Sequence, residues 1–234
     1  MKKHVIAITT AVVTAFVSAF FLCVRTLQGV KEVGAFDDGE IRIVLDAGHG
    51  GVDGGVSGRT SGVKESDINL SITLNLYEKL TDMGFAVTLT RKTEAGLYGV
   101  ASKGFKKRDM EKRKEIITQC DPALVLSIHQ NFYAAKSVRG GQVFYRKEDE
   151  RSRVLAVALQ SEINALYQEE KVKPRTVMPG EYFMLQCASC PSVIVECGFL
   201  SSADEELLLD KKWQARLSEK IASGVMAFFA DSVL

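Results

Sequence analysis

Histidine is scarce in this chain: His4, His49 and His129 are the only three among 234 residues. Charge of either sign is not in excess either, since 30 Lys and Arg stand against 29 Asp and Glu. A net charge of +1 gives no electrostatic case for a nucleic-acid partner, and none is expected. Cysteine is sparse and odd in number, five in all. Cys187 and Cys190 form a lone CxxC with no second pair to complete a structural zinc tetrahedron, so no obligatory disulfide framework is expected and the thiols read as small buried groups. No internal repeat or low-complexity segment is visible.

What is present begins with an apolar N-terminus. Lys2, Lys3 and His4 precede an uncharged run from Val5 to Val24 that closes at Arg25, a length that spans a bilayer core as a helix. Positive residues ahead of it predict the N-terminus inside and the remainder exported. A cleaved signal peptide is the competing reading, but Phe20, Phe21 and Leu22 stand where a small-x-small cleavage site would lie. Residues 1–25 are thus expected to be a membrane anchor or signal segment, and 26–40 a linker without apolar periodicity. Residues 41–234 then make one catalytic domain, of a size that buries a sizeable core.

Strand and helix signals alternate along that domain. Strands are expected at Ile41–Leu45, Phe85–Thr90, Leu124–His129, Gly141–Tyr145, Tyr182–Leu185 and Val193–Glu196. Ser66–Met83 carries Ile68, Ile72, Leu76 and Leu80 at every fourth residue and predicts an amphipathic helix ending at Gly84. Lys106–Gln119, Ser152–Tyr167 and Trp213–Phe229 read as further helices. The alternation argues an α/β sandwich on a mostly parallel sheet. In such sheets chemistry gathers at the carboxyl ends of the strands.

Three short segments each look built to offer one metal ligand there. Ile41–Gly55 runs from a strand into a glycine-rich turn carrying His49, Glu65 stands just ahead of the first helix, and Leu124–Tyr133 presents His129. Two neutral imidazoles and one carboxylate leave the fourth position of a tetrahedral zinc ion open, the arrangement of a catalytic site. A lone strand-end histidine is more often a satisfied structural residue, and Glu65 alone suits a helix start. Yet the domain's two histidines both occupy the same kind of position. Glu196 follows the apolar run Val193–Val195, where a carboxylate is costly to bury without a charge partner.

The segments IVLDAGHGGVDGG, KESDINL, SIHQN and VIVECGFLSS, in that order from Ile41 onward, resemble the zinc-dependent N-acetylmuramoyl-L-alanine amidases of the type 3 family. The resemblance implies Zn2+ held by His49, Glu65 and His129, with Glu196 as the catalytic carboxylate. It implies a six-stranded mixed sheet flanked by helices. It also implies peptidoglycan as substrate, cut between N-acetylmuramic acid and L-alanine, with Glu196 acting as general base and then general acid. Thr93–Arg113 is similar to the matching segment of the sporulation-specific members, which trim spore-cortex peptidoglycan on the way to muramic δ-lactam. That subgroup implies an extracytoplasmic location in the forespore intermembrane space and leaves room for an accessory lipoprotein activator.

Some features stand apart from the family pattern. Phe132 replaces the usual small residue after Asn131, which would narrow the cleft beside His129. No long helical insertion of the kind that occludes the zinc in division amidases lies between Gly141 and Val193, so self-inhibition of that type is not expected. Lys103, Lys106, Lys107 and Arg108 read either as a solvated helix start or as contacts to anionic substrate groups. Alternatives stay open: a non-catalytic peptidoglycan or partner binder on the same fold, a general wall amidase outside sporulation, or another zinc exopeptidase.

Overall fold

A computed structural model describes residues 40–231. The expected anchor at 1–25 and most of the linker lie outside them. Among the described residues no helix is long and apolar enough to cross a membrane.

The chain runs β1 (Arg42–Ala47), α1 (Glu65–Asp82), β2 (Ala86–Leu89), α2 (Phe105–Cys120), β3 (Leu124–Asn131), β4 (Gln142–Arg146), α3 (Glu150–Glu169), β5 (Met178–Gly180), a 3-10 turn (Phe183–Gln186), β6 (Ser192–Phe199), α4 (Asp204–Leu209) and α5 (Lys211–Asp231). One six-stranded sheet has the order β2-β1-β3-β6-β4-β5. β2, β1, β3 and β6 are parallel, β4 is antiparallel to β6, and β5 is parallel to β4. The expectation of a mixed, mostly parallel six-stranded sheet with flanking helices is met.

Alternation along the strands divides the molecule into two faces. Ile43, Leu45, Leu126, Ile128, Val193 and Val195 point to the larger apolar core. There they meet Ile68, Ile72 and Leu76 of α1, Leu155 and Leu159 of α3, and Leu217 and Ile221 of α5. The four-residue spacing of α1 places its buried stripe on this face, and the helix stops where Gly84 takes φ +90°. Val44, Val125 and Ile194 point the other way, into a smaller cluster with Ile117 of α2 and with Met184 and Leu185 of the 3-10 turn. Continuing the alternation, Asp46, His129 and Glu196 fall on this second face at the carboxyl ends of their strands.

Two elements differ from expectation. Tyr182–Leu185 is not a strand: Tyr182 and Phe183 are exposed while Met184 and Leu185 are buried. Two adjacent residues out and two in cannot be a half-buried strand, which alternates singly, and the segment turns as a 3-10 helix instead. The sixth strand is Met178–Gly180, whose Pro179 is tolerated because β5 lies at the edge of the sheet. The short helix α4 was not foreseen, and α1 begins at Glu65 itself.

Candidate metal centre

The β1–α1 loop turns back on itself immediately after β1. His49 adopts φ +60°, a left-handed conformation that costs a side-chain-bearing residue roughly 1–2 kcal/mol and persists only where the surroundings hold it. Two buried arginines do so. Arg113 of α2 donates from Nη2 to the His49 carbonyl at 2.6 Å and from Nη1 to the Ala47 carbonyl at 2.7 Å. Arg91, just beyond β2, donates from Nε to the Ala47 carbonyl at 2.8 Å and from Nη2 to the carbonyls of Gly48 and Ser66 at 2.9 and 2.8 Å.

The charge of Arg113 is answered by two carboxylates, whereas Arg91 bonds only carbonyls. Asp46 accepts from Arg113 Nη1 at 2.5 Å, from Thr90 Oγ1 at 2.7 Å and from Ser127 Oγ at 2.6 Å, while Arg113 Nε donates to Asp109 at 2.6 Å. Burial alone would raise the Asp46 carboxyl, but Arg113 and the two hydroxyls outweigh it and hold the group at about 2. Asp109, Arg113 and Ile117 are the buried residues of the otherwise charged helix α2, spaced four apart. That helix is docked by the Arg113–Asp46 ion pair together with the apolar contact of Ile117.

The loop delivers His49 to Glu65 and His129. Glu65 Oε1 lies 3.3 Å from His49 Nε2 and 2.9 Å from His129 Nδ1. One ligand atom from each of the three residues falls within 4.8 Å of the others. Glu65 is 3% exposed and also accepts from the Val56 and Gln130 amides and from Asn69 Nδ2. Burial pushes its carboxyl up, yet the two histidines hold it well below the ordinary range. Burial pulls His49 down, but Glu65 and then Asp53 outweigh it and leave the imidazole raised. Asp53 Oδ1 lies 3.2 Å from His49 Nδ1, so the ring turns its other nitrogen toward Glu65.

Space around the cluster is shaped by two glycines. A Cβ at Gly48 would fall 2.2 Å from His129 Cε1, and one at Gly55, φ +68°, would fall 2.4 Å from Glu65 Oε2. Only a bare backbone lets the loop wrap this closely.

Glu196 of β6 pairs with His129 of β3 across the parallel ladder. Its Oε2 is buried and has no hydrogen-bond partner, although a buried polar oxygen normally finds one. Burial raises its carboxyl to about 7, with Glu65 adding to the rise and both histidines opposing it. An orphaned carboxylate beside two imidazoles and a buried glutamate fits a site completed by a cation and a water. The donor set of two nitrogens and one carboxylate oxygen suits zinc with a position left open. The cleft in front, about 220 Å³, is lined by His49, Asp53, His129, Tyr182 and Phe183 among others.

The structure thus brings together all four expected residues, and it adds Asp46, Arg91 and Arg113 behind them. A carboxylate inside the apolar strand IRIVLDA was the available sign that a buried cation stands opposite. Arg108, grouped with three lysines as a candidate substrate contact, instead donates to the carbonyls of Tyr98, Val100 and Lys103 and closes its own loop. Lys106 does reach the centre's edge, 3.5 Å from Asp53 Oδ2. Phe132 is 41% exposed under the Arg59 guanidinium and is not among the cleft-lining residues. Cys120, Cys187, Cys190 and Cys197 are all free, and burial pushes Cys187 up to about 11. Between Gly141 and Ser192 the one α-helix is α3, which packs against α5 in the larger core.

Residues 43–227 match the N-acetylmuramoyl-L-alanine amidase family. The germination-specific N-acetylmuramoyl-L-alanine amidase of Bacillus subtilis (strain 168) is 30% identical over 193 residues, covering 81% of this chain and 80% of that one. The structure of the CwlD amidase from Clostridioides difficile in complex with the GerS lipoprotein superposes with TM-score 0.77 at 34% identity, covering 83% of this chain and all of that one. An N-acetylmuramoyl-L-alanine amidase from Clostridium difficile 630 gives TM-score 0.70 at 26% identity, covering 81% of this chain and 96% of that one.

Proposed function

The chain belongs to the N-acetylmuramoyl-L-alanine amidase family and is an enzyme of that class, and from that premise we propose that it cuts spore-cortex peptidoglycan with a zinc ion held by His49, Glu65 and His129. The observation that carries the proposal is the orphaned Oε2 of Glu196 beside three ligand atoms within 4.8 Å of one another. Zinc in such a site supplies polarisation of a carbonyl and acidification of water.

The protein's own residues do the rest. Glu196, raised toward neutrality by burial, takes a proton from the attacking water at Oε2 and returns it to the departing alanine amine. Asp53 fixes which nitrogen of His49 faces the cluster, and Arg91 and Arg113 hold the loop that presents it. Val56, Asn69 and Gln130 keep Glu65 from turning away. The reaction releases an intact stem peptide and leaves a bare lactyl group on muramic acid, a step toward muramic δ-lactam.

The cortex assignment is supported by the likeness to the germination-specific amidase. It goes with action outside the cytoplasm, residues 1–25 as anchor or signal segment, 26–40 as linker and 41–234 as the catalytic domain. A lipoprotein partner is part of the proposal, supported by the complex described for the Clostridioides difficile relative. The test is mass spectrometry of peptidoglycan incubated with the full chain and zinc. Release of intact stem peptides with a free L-alanine amine is expected, abolished by His129→Ala and by Glu196→Gln. Release that survives both substitutions contradicts the proposal, and cleavage of free stem peptides instead would point to an exopeptidase.

A further inference from the structure

Glu196 has a second neighbour on the side away from the histidines. Gln142 of β4 is its direct partner across the antiparallel ladder. Directly opposed residues share a face, with Cβ atoms about 5 Å apart. Gln142 in turn accepts from Arg175 Nε at 2.7 Å through Oε1 and donates through its amide to the Thr176 carbonyl. Arg175 lies over the end of β6, its guanidinium stacked 5.1 Å from the Phe199 ring centroid. A row therefore leads from the ligand cluster through Glu196 and Gln142 to a guanidinium.

Beyond that guanidinium the surface is basic. A cavity of about 480 Å³ is lined by Arg139, Lys171, Lys173 and Arg175, with Ser137, Val138, Val172 and Pro174 between them. Arg139 is answered by Asp204 at 2.8 Å. Lys171 and Lys173 are exposed and form no ion pair among the described residues, and Arg175 spends Nε on Gln142 and Nη1 on the Arg139 carbonyl at 3.5 Å, while Asp204, the carboxylate that acts on it, is in contact with Arg139.

The group that returns a proton to the departing amine stands on the peptide side of the scissile carbonyl, and the basic cavity lies on that side of Glu196, at the surface beyond the buried Gln142. Stem peptides are acidic, and a γ-linked D-glutamyl residue after L-alanine keeps a free α-carboxylate. We propose that Arg175, Lys171 and Lys173 form a carboxylate-binding subsite that receives the acidic stem peptide on the leaving-group side of Glu196. The proposal rests on the amidase reading and on the proton-transfer role of Glu196. Arg175 is the anchor, because Gln142 and Phe199 fix its position while its remaining N–H donors stay available for a planar acceptor. The two lysines add attraction without fixed geometry.

The test is calorimetric titration of the full zinc-loaded chain with the peptide L-alanyl-γ-D-glutamyl-diaminopimelate and with its D-glutamyl α-amide. Arg175→Gln should weaken binding of the acid peptide about tenfold, and Lys171→Gln with Lys173→Gln about threefold, while α-amidation should weaken the wild type and leave Arg175→Gln nearly unchanged. The lysine pair is exposed, so its effect is read without any concern for folding. Affinities within about twofold of wild type in both variants, or no measurable binding by the wild type, overturn the proposal. If the variants lose affinity while the wild type releases no peptide from peptidoglycan, the subsite stands and the amidase reading falls. If peptide release is normal and the variants bind as wild type does, the reverse holds.

Discussion

The two faces of the sheet are held by different physics. On one, α1, α3 and α5 press aliphatic side chains onto Ile43, Leu45, Leu126 and Val195 with hardly a charge among them. On the other, α2 adds directional contacts to the packing of Ile117: Arg113 bonds Asp46 and the carbonyls of Ala47 and His49, and Asp109 accepts from the Leu97 amide. Aliphatic burial is non-directional and tolerates exchange of similar volumes. A guanidinium fork bonded to the Ala47 and His49 carbonyls sets a loop to within fractions of an ångström. The difference places the directional interactions behind the face that must present His49, Glu65 and His129 in register, and leaves bulk stability to the face that does no chemistry.

Breaking the polar face should cost most. Arg113→Met removes the partner of a fully buried Asp46 and should destabilise the protein by about 3–5 kcal/mol. It should also lower zinc affinity in whatever fraction stays folded, and urea unfolding with zinc titration reads both. The pH dependence of the wild type has a defined sign. The Asp46 carboxyl is held at about 2 in the fold, below its unfolded value, so its contribution is present above about pH 4 and is lost as pH falls toward 2.

The apolar face should answer differently. Leu76→Ala deletes a side chain with no exposed surface and should cost about 2–4 kcal/mol, yet leave the zinc affinity of the folded protein unchanged. A matching loss of zinc affinity would erase the distinction between the faces.

Glu196 gives an effect of opposite sign. Its folded carboxyl lies at about 7, above the unfolded value, so the stability of the protonated form is fully present below about pH 4.5 and is lost as pH rises through 7. In metal-free protein Glu196→Gln should therefore match the wild type at pH 4 and be more stable by about 3 kcal/mol at pH 8. Unfolding curves of chelator-treated protein at the two pH values check it. Equal stability of the two proteins at pH 8 would mean that the buried oxygen carries no penalty.

Much of this was legible in the residues alone, and what was not has a physical reason. Ile43–Leu45, Leu124–Ile128 and Val193–Val195 are largely apolar runs buried on both faces, and such runs announce strands without any tertiary knowledge. The four-residue spacing of Ile68, Ile72, Leu76 and Leu80 announces α1 equally well. Tyr182–Leu185 misled because four apolar residues in a row do not state which of them are exposed, and aromatic side chains at a cleft mouth mimic a core. Asp204–Leu209 is too short to show a period. The cluster of His49, Glu65 and His129 was legible because each sits in a distinctive short segment. The arginines that aim them were not, since Arg91 and Arg113 acquire meaning only when β1, β2 and α2 are packed. The opposition of Gln142 to Glu196 depends on strand register and could not be read in advance.

The most direct test of the account is anomalous diffraction at the zinc edge from crystals of the zinc-soaked protein. A single peak about 2.0–2.2 Å from His49 Nε2, His129 Nδ1 and a Glu65 oxygen, with Glu196 Oε2 outside bonding distance, is the predicted result. A peak bonded to Glu196, or one at Cys187 and Cys190 with the histidines bare, would contradict it.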